Sequence, residues 1–272
     1  AIAFASHDSA RDGLDALREL RLTSLELIDG RLFEAALAEG KRYPFYAGAR
    51  DQGDVAAVVV FEVDDHSGRA KKHIAKKIAK LFASDDSVTV AIEKAGEAAE
   101  ALRALRYVTA LTVGAHKSDD STPPILDGAY IPPERFEDFV KATAGLETKY
   151  HVQLPLYGHA GQSIYYARPL FDFAKVSERQ KLFKLLNDWS LAVTAHGGHV
   201  AAEAAEGRVK AAFAYRDLDD ELQKLIEAIR GVFDPQGTLN TGVKQALDLK
   251  TIAGALRTSY NGSDFAEYGA RN

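Results

Sequence analysis

The first 93 residues constrain the fold most, because apolar strand-like runs alternate there with amphipathic helical segments. AIAFA and TSLELID flank a segment in which Leu14, Leu17 and Leu20 recur at helical spacing. VAAVVVFEV and SVTVAIE flank a second helical segment, GRAKKHIAKKIAKLF. Two strand-helix-strand units of these lengths predict a split βαβ, ferredoxin-like arrangement. We therefore expect an α+β fold with a mainly antiparallel sheet and helices covering one face.

Composition and charge exclude several classes of protein. Of the 272 residues, 46% are hydrophobic, which is enough for a large core. The net charge is −5 and the basic residues are spread along the chain, so the basic patch of a nucleic-acid-binding protein is missing. The absence of cysteine excludes disulfides and thiolate zinc sites. No apolar run predicts a transmembrane segment, so we expect a cytoplasmic protein, with peripheral attachment to a membrane as the alternative.

The segment LYGHAGQSIYYARP is the strongest candidate for a functional site. Gly158 and Gly161 flank His159, so the backbone is free to turn tightly or to approach a ligand. In the strand that follows, Tyr166 and Arg168 share one face. The pattern predicts that the three polar side chains line one pocket. The alternative is a hairpin entry whose histidine hydrogen-bonds a loop carbonyl group.

Three stretches of the sequence resemble, in order and spacing, motifs of the FAD-linked oxidases. LYGHAGQSIYYARPLFD resembles the segment Gly-His-Ala-Gly-Asp-Gly-Asn-Leu-His-x-Arg-Pro of that family. HGGHVAAEAAEGRVK resembles Gly-Gly-x-x-x-Gly-Glu-His-Gly-x-Gly-Arg, and FDPQGTLNTGVK resembles the tail Phe-Asp-Pro-x-x-x-Leu-Asn-Pro-Gly-Lys. The family includes D-lactate, glycolate and D-2-hydroxyglutarate dehydrogenases. The resemblance is to its C-terminal substrate domain and extends from about residue 105 to residue 244.

The resemblance implies a domain organisation. Residues 1–245 are expected to form the substrate, or cap, domain, with a possible sub-boundary in the polar loop near residues 114–127. Residues 246–272 then form a C-terminal extension. The FAD-binding domain that precedes this region in the family is absent from the chain, so FAD is expected to bind through a separate domain or subunit.

The resemblance also implies an activity. The family transfers a hydride from a D-2-hydroxy acid, such as lactate or glycolate, to the flavin. The isolated chain is expected to be inactive without a flavin domain. One alternative is a catalytically degenerate domain of the same fold that serves as an assembly or regulatory module. Another is a metal-binding or anion-binding domain unrelated to flavin.

The resemblance places three catalytic candidates on this sequence, His159, Tyr166 and Glu203. His159 and Glu203 fall on two of the family's metal ligands, which implies a divalent metal. The family's second metal histidine falls on Tyr166, and the histidine proposed as its base falls on Ala204. These two replacements motivate the degenerate alternative, because an alanine accepts no proton. The nearby histidines of the HGGH stretch are interpreted as ordinary loop residues.

Three arginines are candidates for binding the substrate carboxylate, because a guanidinium forms paired hydrogen bonds with a carboxylate. Arg168 and Arg208 lie at positions matched to the family, and Arg106 lies near the start of the resemblance. For each of them, an ion pair at the surface is the alternative.

The tail motif implies contacts with FAD from Asn240, Gly242 and Lys244. Thr241 replaces the proline of the family pattern, and Val243 displaces the lysine by one position.

Overall fold

The computed structural model describes residues 1–64, 67–109, 120–121, 126–169, 171–172, 175–203, 207–216, 218–243 and 249–255. The chain divides into two compact units. The first comprises Ala1–Lys117, Pro155–Ala167 and Gly262–Asn272, and the second comprises Ser118–Leu154 and Arg168–Asn261. Within the described part of the chain, no helix is long and apolar enough to cross a membrane.

Short strands and helices alternate through most of the chain. The strands are β1 (Ile2–Phe4), β2 (Ser24–Asp29), β3 (Ala57–Glu62), β4 (Val88–Val90), β5 (Asp120–Ser121), β6 (Leu126–Tyr130), β7 (Leu156–His159), β8 (Ile164–Ala167) and β9 (Phe171–Asp172). The helices are α1 (His7–Arg18), α2 (Gly30–Ala38), α3 (Pro44–Arg50), α4 (Gly68–Leu81), α5 (Glu97–Arg103), α6 (Phe136–Tyr150), α7 (Val176–Ala195), α8 (Ala211–Arg216), α9 (Asp220–Phe233) and α10 (Leu249–Ala255). Two 3₁₀ turns span Ala104–Tyr107 and Pro133–Arg135.

In the first unit, six strands pair in the order β4-β1-β3-β2-β7-β8, and all neighbours are antiparallel. The order of the first four strands follows from two split strand-helix-strand units, because each unit leaves room for one strand between its own two. The α+β class and the ferredoxin-like arrangement predicted from the sequence are therefore confirmed.

Helices α1 and α4 pack on one face of this sheet. The ring of Phe4 points to that face and meets Phe82, which follows α4, edge to face at 5.7 Å between ring centroids. A Cβ atom at Gly13 of α1 would lie 2.5 Å from the Phe4 ring, so the helix lies closer to this ring than an alanine would allow without a shift of the ring. The buried side chains Leu14 and Ile78 complete this layer.

A second helical layer covers the opposite face, which the sequence analysis did not include. Val58 and Val60 of β3 belong to a buried cluster with Phe33 of α2 and Tyr46 of α3. The Phe33 and Tyr46 rings stack with their centroids 4.6 Å apart. Leu105, in the first 3₁₀ turn, joins the same cluster. The central strands are thus buried on both faces, and polar side chains on them are exceptions that need partners.

In the second unit, α6 and α7 pack through aromatic side chains. Phe139 meets the buried Trp189 edge to face at 5.2 Å. Lys210 is also buried, and its ammonium group lies 2.7 Å from the Asp127 carboxylate on β6. Burial of a lysine requires such a partner, because an unpaired charge is costly to remove from water.

Candidate functional site

The hairpin formed by β7 and β8 depends on one of its two glycines. Gly158 pairs with Tyr165 across the hairpin, and its φ angle is +155°. A Cβ atom there would lie only 2.1 Å from the carbonyl oxygen of Ile164. At Gly161 the nearest side-chain atom would lie at an ordinary 3.4 Å, and the left-handed residue of the turn is Ser163, with φ +59°. The close approach predicted for the glycines is therefore a property of Gly158.

Strand register places His159 beside a carboxylate. Because Leu27 pairs with Gly158 and Ile28 with Tyr157, the antiparallel register brings Glu26 of β2 next to His159 of β7. The Nδ1 atom of His159 lies 2.7 Å from Oε2 of Glu26. The Glu26 side chain is only 10% exposed, whereas that of His159 is 34% exposed. The imidazole is thus held at Nδ1 by a carboxylate that is itself nearly buried.

Arg106 binds the other oxygen of the same carboxylate. Its Nη2 atom donates to Glu26 Oε1 at 3.1 Å, and its Nη1 atom donates to Glu62 Oε1 at 3.2 Å. Arg103 also contacts Glu62, with its Nε atom donating at 3.3 Å. These side chains form a row in the order Arg103, Glu62, Arg106 and Glu26, in which positive and negative charges alternate. Each carboxylate in the row accepts a charge-assisted hydrogen bond.

One tyrosine meets the imidazole on the same face of the sheet, and a second stacks on the first. The Tyr166 ring lies edge-on to His159 at 5.8 Å and stacks on Tyr157 at 5.0 Å. Tyr165 points to the opposite face, where it is buried and accepts a hydrogen bond from Arg18 at 2.8 Å. Burial raises the pKa of Tyr165 to about 12, so its hydroxyl group stays protonated. The alternation predicted for this strand is thus present.

We call Glu26, His159, Arg106 and Tyr166 the Glu26 cluster. The structure brings together three residues that the sequence analysis selected, and it adds Glu26, which that analysis missed. The available signal was a carboxylate inside the strand-like run TSLELID, where a charged residue with buried neighbours needs a partner.

The remaining sequence-predicted residues lie in the second unit. Arg168 is half-buried and Glu203 is exposed. Arg208 is also exposed, and its Nε atom donates to the carbonyl oxygen of Thr241 at 2.9 Å. Arg208 therefore contacts the tail motif directly.

The tail motif forms a turn between Asn240 and Val243. Asn240 is exposed with φ +44°, and Gly242 is buried with φ +82°, a conformation that favours glycine. The side chain of Asn240 therefore lies at the surface. Lys244 lies outside the described residues.

Arg230 and Asp234 hold this turn in place through its backbone. Arg230 donates to the carbonyl oxygens of Leu239, at 2.6 Å, and Val243, at 3.0 Å. The Asp234 carboxylate accepts from the backbone N–H groups of Leu239 and Thr238, each at 2.8 Å. These bonds, the one from Leu239 foremost, hold the pKa of Asp234 below its usual value.

The HGGH stretch is a loop at the end of α7, as interpreted from the sequence. The Nδ1 atom of His196 lies 2.6 Å from the carbonyl oxygen of Ala192, and Nδ1 of His199 accepts from the N–H of Ala201 at 3.1 Å. Ala204 lies outside the described residues. Among those that are described, no group of three histidine, aspartate or glutamate side chains could hold a metal ion. The donors in the described part of the chain therefore do not form a metal site, and no step of the proposed reaction is assigned to a metal.

Comparison with known proteins finds a matching family model and several related sequences. The family model described as "FAD linked oxidases, C-terminal domain" matches residues 1–243. D-2-hydroxyglutarate dehydrogenase of Escherichia coli (strain K12) is 22% identical over 89% of this chain and 24% of its own length. Glycolate oxidase subunit GlcD of Bacillus subtilis (strain 168) is 25% identical over 71% of this chain and 40% of its own. D-lactate dehydrogenase of Archaeoglobus fulgidus is 26% identical over 89% of this chain and 50% of its own.

Two solved structures share the fold. A 4-ethylphenol oxidase from Gulosibacter chungangensis, in complex with isoeugenol, aligns with a TM-score of 0.66 at 12% identity. It covers 92% of this chain and 54% of that one. A p-cresol methylhydroxylase with substrate bound aligns with a TM-score of 0.64 at 14% identity over 92% of this chain and 52% of that one. The chain thus spans half or less of each named relative, and little more than half of each structural neighbour.

Proposed function

The chain belongs to the FAD-linked oxidase family, through that family's C-terminal domain, and on this premise we propose that it supplies the substrate-binding part of an FAD-dependent D-2-hydroxy-acid dehydrogenase. The substrates named for its relatives are 2-hydroxyglutarate, glycolate and lactate. All three carry a hydroxyl group on the carbon next to a carboxylate. The partners proposed are therefore a small 2-hydroxy acid and an FAD-binding domain or subunit.

The observation that carries this proposal is the contact between His159 and Glu26. The imidazole belongs to the segment LYGHAGQSIYYARP, which resembles a motif of the family. Its Nδ1 atom lies 2.7 Å from a carboxylate that is almost completely buried. A histidine whose second nitrogen is held by a carboxylate is oriented and stabilised as a proton acceptor. Oxidation of a hydroxy acid requires such a group.

In the proposed reaction, FAD, when bound, supplies the acceptor for the hydride that leaves the hydroxyl-bearing carbon. His159 accepts the hydroxyl proton at Nε2, and the electron pair of the O–H bond forms the carbonyl group of the 2-oxo acid. The positive charge that develops on the imidazole is stabilised by Glu26. Tyr166, edge-on to the imidazole, is proposed to limit its rotation and to line the same polar surface.

A guanidinium group is proposed to bind the substrate carboxylate, with Arg168 and Arg208 as the candidates. Arg106 is the third candidate from the sequence, but its guanidinium donates to both Glu26 and Glu62. Direct binding of substrate by Arg106 would have to displace these two contacts. We therefore assign Arg106 first to holding Glu26. We also propose that Glu203, whose carboxylate is exposed, takes part in catalysis.

The tail turn fits a contact with FAD. Asn240 is exposed and carries both a hydrogen-bond donor and an acceptor, and the buried Gly242 adopts a conformation that a larger residue would resist. Asn240 and the backbone at Gly242 are therefore proposed to hold the flavin, together with Lys244. No dinucleotide-binding glycine motif of the type G-x-G-x-x-G occurs in the sequence, which agrees with FAD binding mainly through a partner domain.

The proposal is tested by reconstitution. The chain is produced together with an FAD-binding domain of the family, and bleaching of the flavin absorbance is followed after addition of D-lactate, glycolate or D-2-hydroxyglutarate. We expect bleaching with at least one of these acids in the wild type and a large loss of rate in His159→Gln. His199→Gln is the matched control, since that imidazole is a loop residue. Failure of all three acids to reduce the flavin would contradict the proposal.

The alternative of a catalytically degenerate domain is not favoured by the comparisons, because the relatives named above are dehydrogenases or an oxidase subunit. Reconstitution also separates the two hypotheses. A degenerate domain would assemble with the flavin domain and leave the flavin oxidised with every acid.

A further inference from the structure

We infer that Glu26 is a positioning residue that fixes the tautomer of His159, so that Nδ1 carries the hydrogen and Nε2 carries the lone pair. An ionised carboxylate only accepts hydrogen bonds, so a neutral imidazole at 2.7 Å from it must donate through Nδ1. The tautomer is a property of this chain alone. The use of Nε2 in hydroxy-acid oxidation rests on the proposed function.

Both residues stand on paired strands, which makes the contact rigid. Glu26 lies in β2, which pairs with β3 on one side and β7 on the other, and His159 ends β7. The two residues are 133 positions apart in sequence, so strand pairing and not local turn geometry brings them together. Sites on paired strands hold side chains more precisely than sites on loops.

Arg106 fixes the orientation of the carboxylate that faces His159. Its guanidinium binds Glu26 Oε1 at 3.1 Å, which leaves Oε2 for the imidazole. Arg106 is held in turn by Glu62 at 3.2 Å. With the Glu26 side chain 10% exposed, few other orientations of the carboxylate are open to it. The ion pair thus orients Glu26 just as Glu26 orients His159.

The opposing interpretation is that Glu26 and Arg106 form an ion pair important only for stability, with His159 as a bystander. The two interpretations differ in the state of the imidazole. If Glu26 acts only on stability, loss of its carboxylate lowers the unfolding midpoint and leaves the tautomer of His159 unchanged. If Glu26 is a positioning residue, the tautomer changes.

The test is a long-range ¹⁵N–¹H NMR spectrum of the imidazole nitrogens in the full chain, without flavin or substrate. The signals of His159 are assigned by their loss in His159→Gln. Above the pH at which the ring loses its charge, we expect the wild type to show a protonated Nδ1 and an unprotonated Nε2. A wild-type spectrum with the hydrogen on Nε2 would overturn the inference without any Glu26 variant.

Variants at two carboxylates sharpen the result. In Glu26→Leu, which removes the acceptor, we expect the two tautomers of His159 to be mixed. In Glu26→Gln, Arg106 can only donate and therefore binds the side-chain carbonyl oxygen, which leaves the NH₂ group facing the imidazole, so we expect the hydrogen of His159 to move from Nδ1 to Nε2. Glu62→Gln is the matched control, because it removes a negative charge beside Arg106, keeps a carbonyl oxygen that accepts from it, and leaves the contact between Glu26 and His159 in place. An unchanged His159 spectrum in a folded Glu26→Leu variant would contradict the assignment.

In the reconstituted dehydrogenase, the same variants separate positioning from substrate binding. Glu26→Gln is expected to lower kcat about 10-fold or more with little change in KM, since the charge that stabilises the imidazolium is lost. Glu62→Gln is expected to change kcat less than 3-fold, a bound we set as the control criterion. If no acid is oxidised by the wild type, the proposed function fails while the tautomer result stands. If the tautomer is wrong and turnover occurs, only the positioning role fails.

Discussion

The Glu26 cluster and the tail turn both contain residues selected from the sequence, but the two regions use their charged groups differently. In the cluster, Arg106 and His159 contact the carboxylate of Glu26, and their positions follow from strand register. In the tail turn, Arg230 and Arg208 donate to backbone carbonyl groups. A contact between two charged side chains influences the ionisation and orientation of a reactive group. A charged side chain that donates to backbone carbonyl groups instead stabilises the conformation of a loop. The proposed roles differ in the same way, with proton transfer assigned to the cluster and contact with FAD to the turn.

The largest effect is expected from breaking the hairpin that carries the cluster. In Gly158→Ala, the new Cβ atom meets the carbonyl oxygen of Ile164, and a backbone atom in a paired strand has little room to move. We expect a loss of about 3 kcal/mol in the free energy of unfolding, measured by urea denaturation. Gly161→Ala is the control, because its Cβ atom has an ordinary contact distance. Equal losses for the two variants would contradict this explanation.

The chemical role of the cluster is tested by removing its imidazole. We expect His159→Gln to lower the rate of flavin reduction about 100-fold, because general-base catalysis contributes at least this much. His196→Gln, which loses a contact with the end of α7 and an edge-to-face contact with the Phe139 ring, should retain most of the activity. A comparable loss of rate in both variants would contradict the assignment of His159 as the proton acceptor.

Variants of Arg168 and Arg208 distinguish an arginine that binds substrate from one that only stabilises a loop. A substrate-binding arginine replaced by lysine should raise KM about 10-fold, because the paired hydrogen bonds to the carboxylate are lost. Arg208→Lys retains a charge that is able to reach the Thr241 carbonyl group. If Arg208 only holds the tail turn, this variant should leave KM unchanged while Arg168→Lys raises it. The reverse pattern would assign the carboxylate to Arg208.

The smallest effect concerns the pH dependence of the tail turn. Backbone hydrogen bonds lower the pKa of Asp234 in the folded protein, so its contribution to stability is complete above the usual aspartate value of 3.8 and is lost as the pH falls through the lowered folded-state value. Asp234→Asn has no carboxylate to protonate, so this loss of stability at low pH should disappear. The free energy of unfolding should then fall less steeply as the pH decreases below 4. Urea denaturation at several pH values measures it. An unchanged slope would show that the carboxylate contributes little to the stability of the turn.

The sequence by itself determined the local patterns and the family. Apolar periodicity predicted the first four strands and their helices, alternation placed Tyr166 and Tyr165 on opposite faces, and three short motifs identified the FAD-linked oxidases. These properties depend on residues that are close together in the sequence, so their spacing can be read from it directly. The assignment of residues 1–245 and 246–272 to separate regions stays a prediction.

Only the tertiary structure decided what surrounds His159. Glu26 lies 133 residues away, and a change of one residue in the register of β2 against β7 would turn it to the other face of the sheet. Arg106, selected as a substrate ligand, instead meets two carboxylates from β2 and β3. Such contacts arise from long-range strand pairing, which no local pattern specifies, and for that reason the carboxylate most important to the proposed chemistry was visible only in the folded chain.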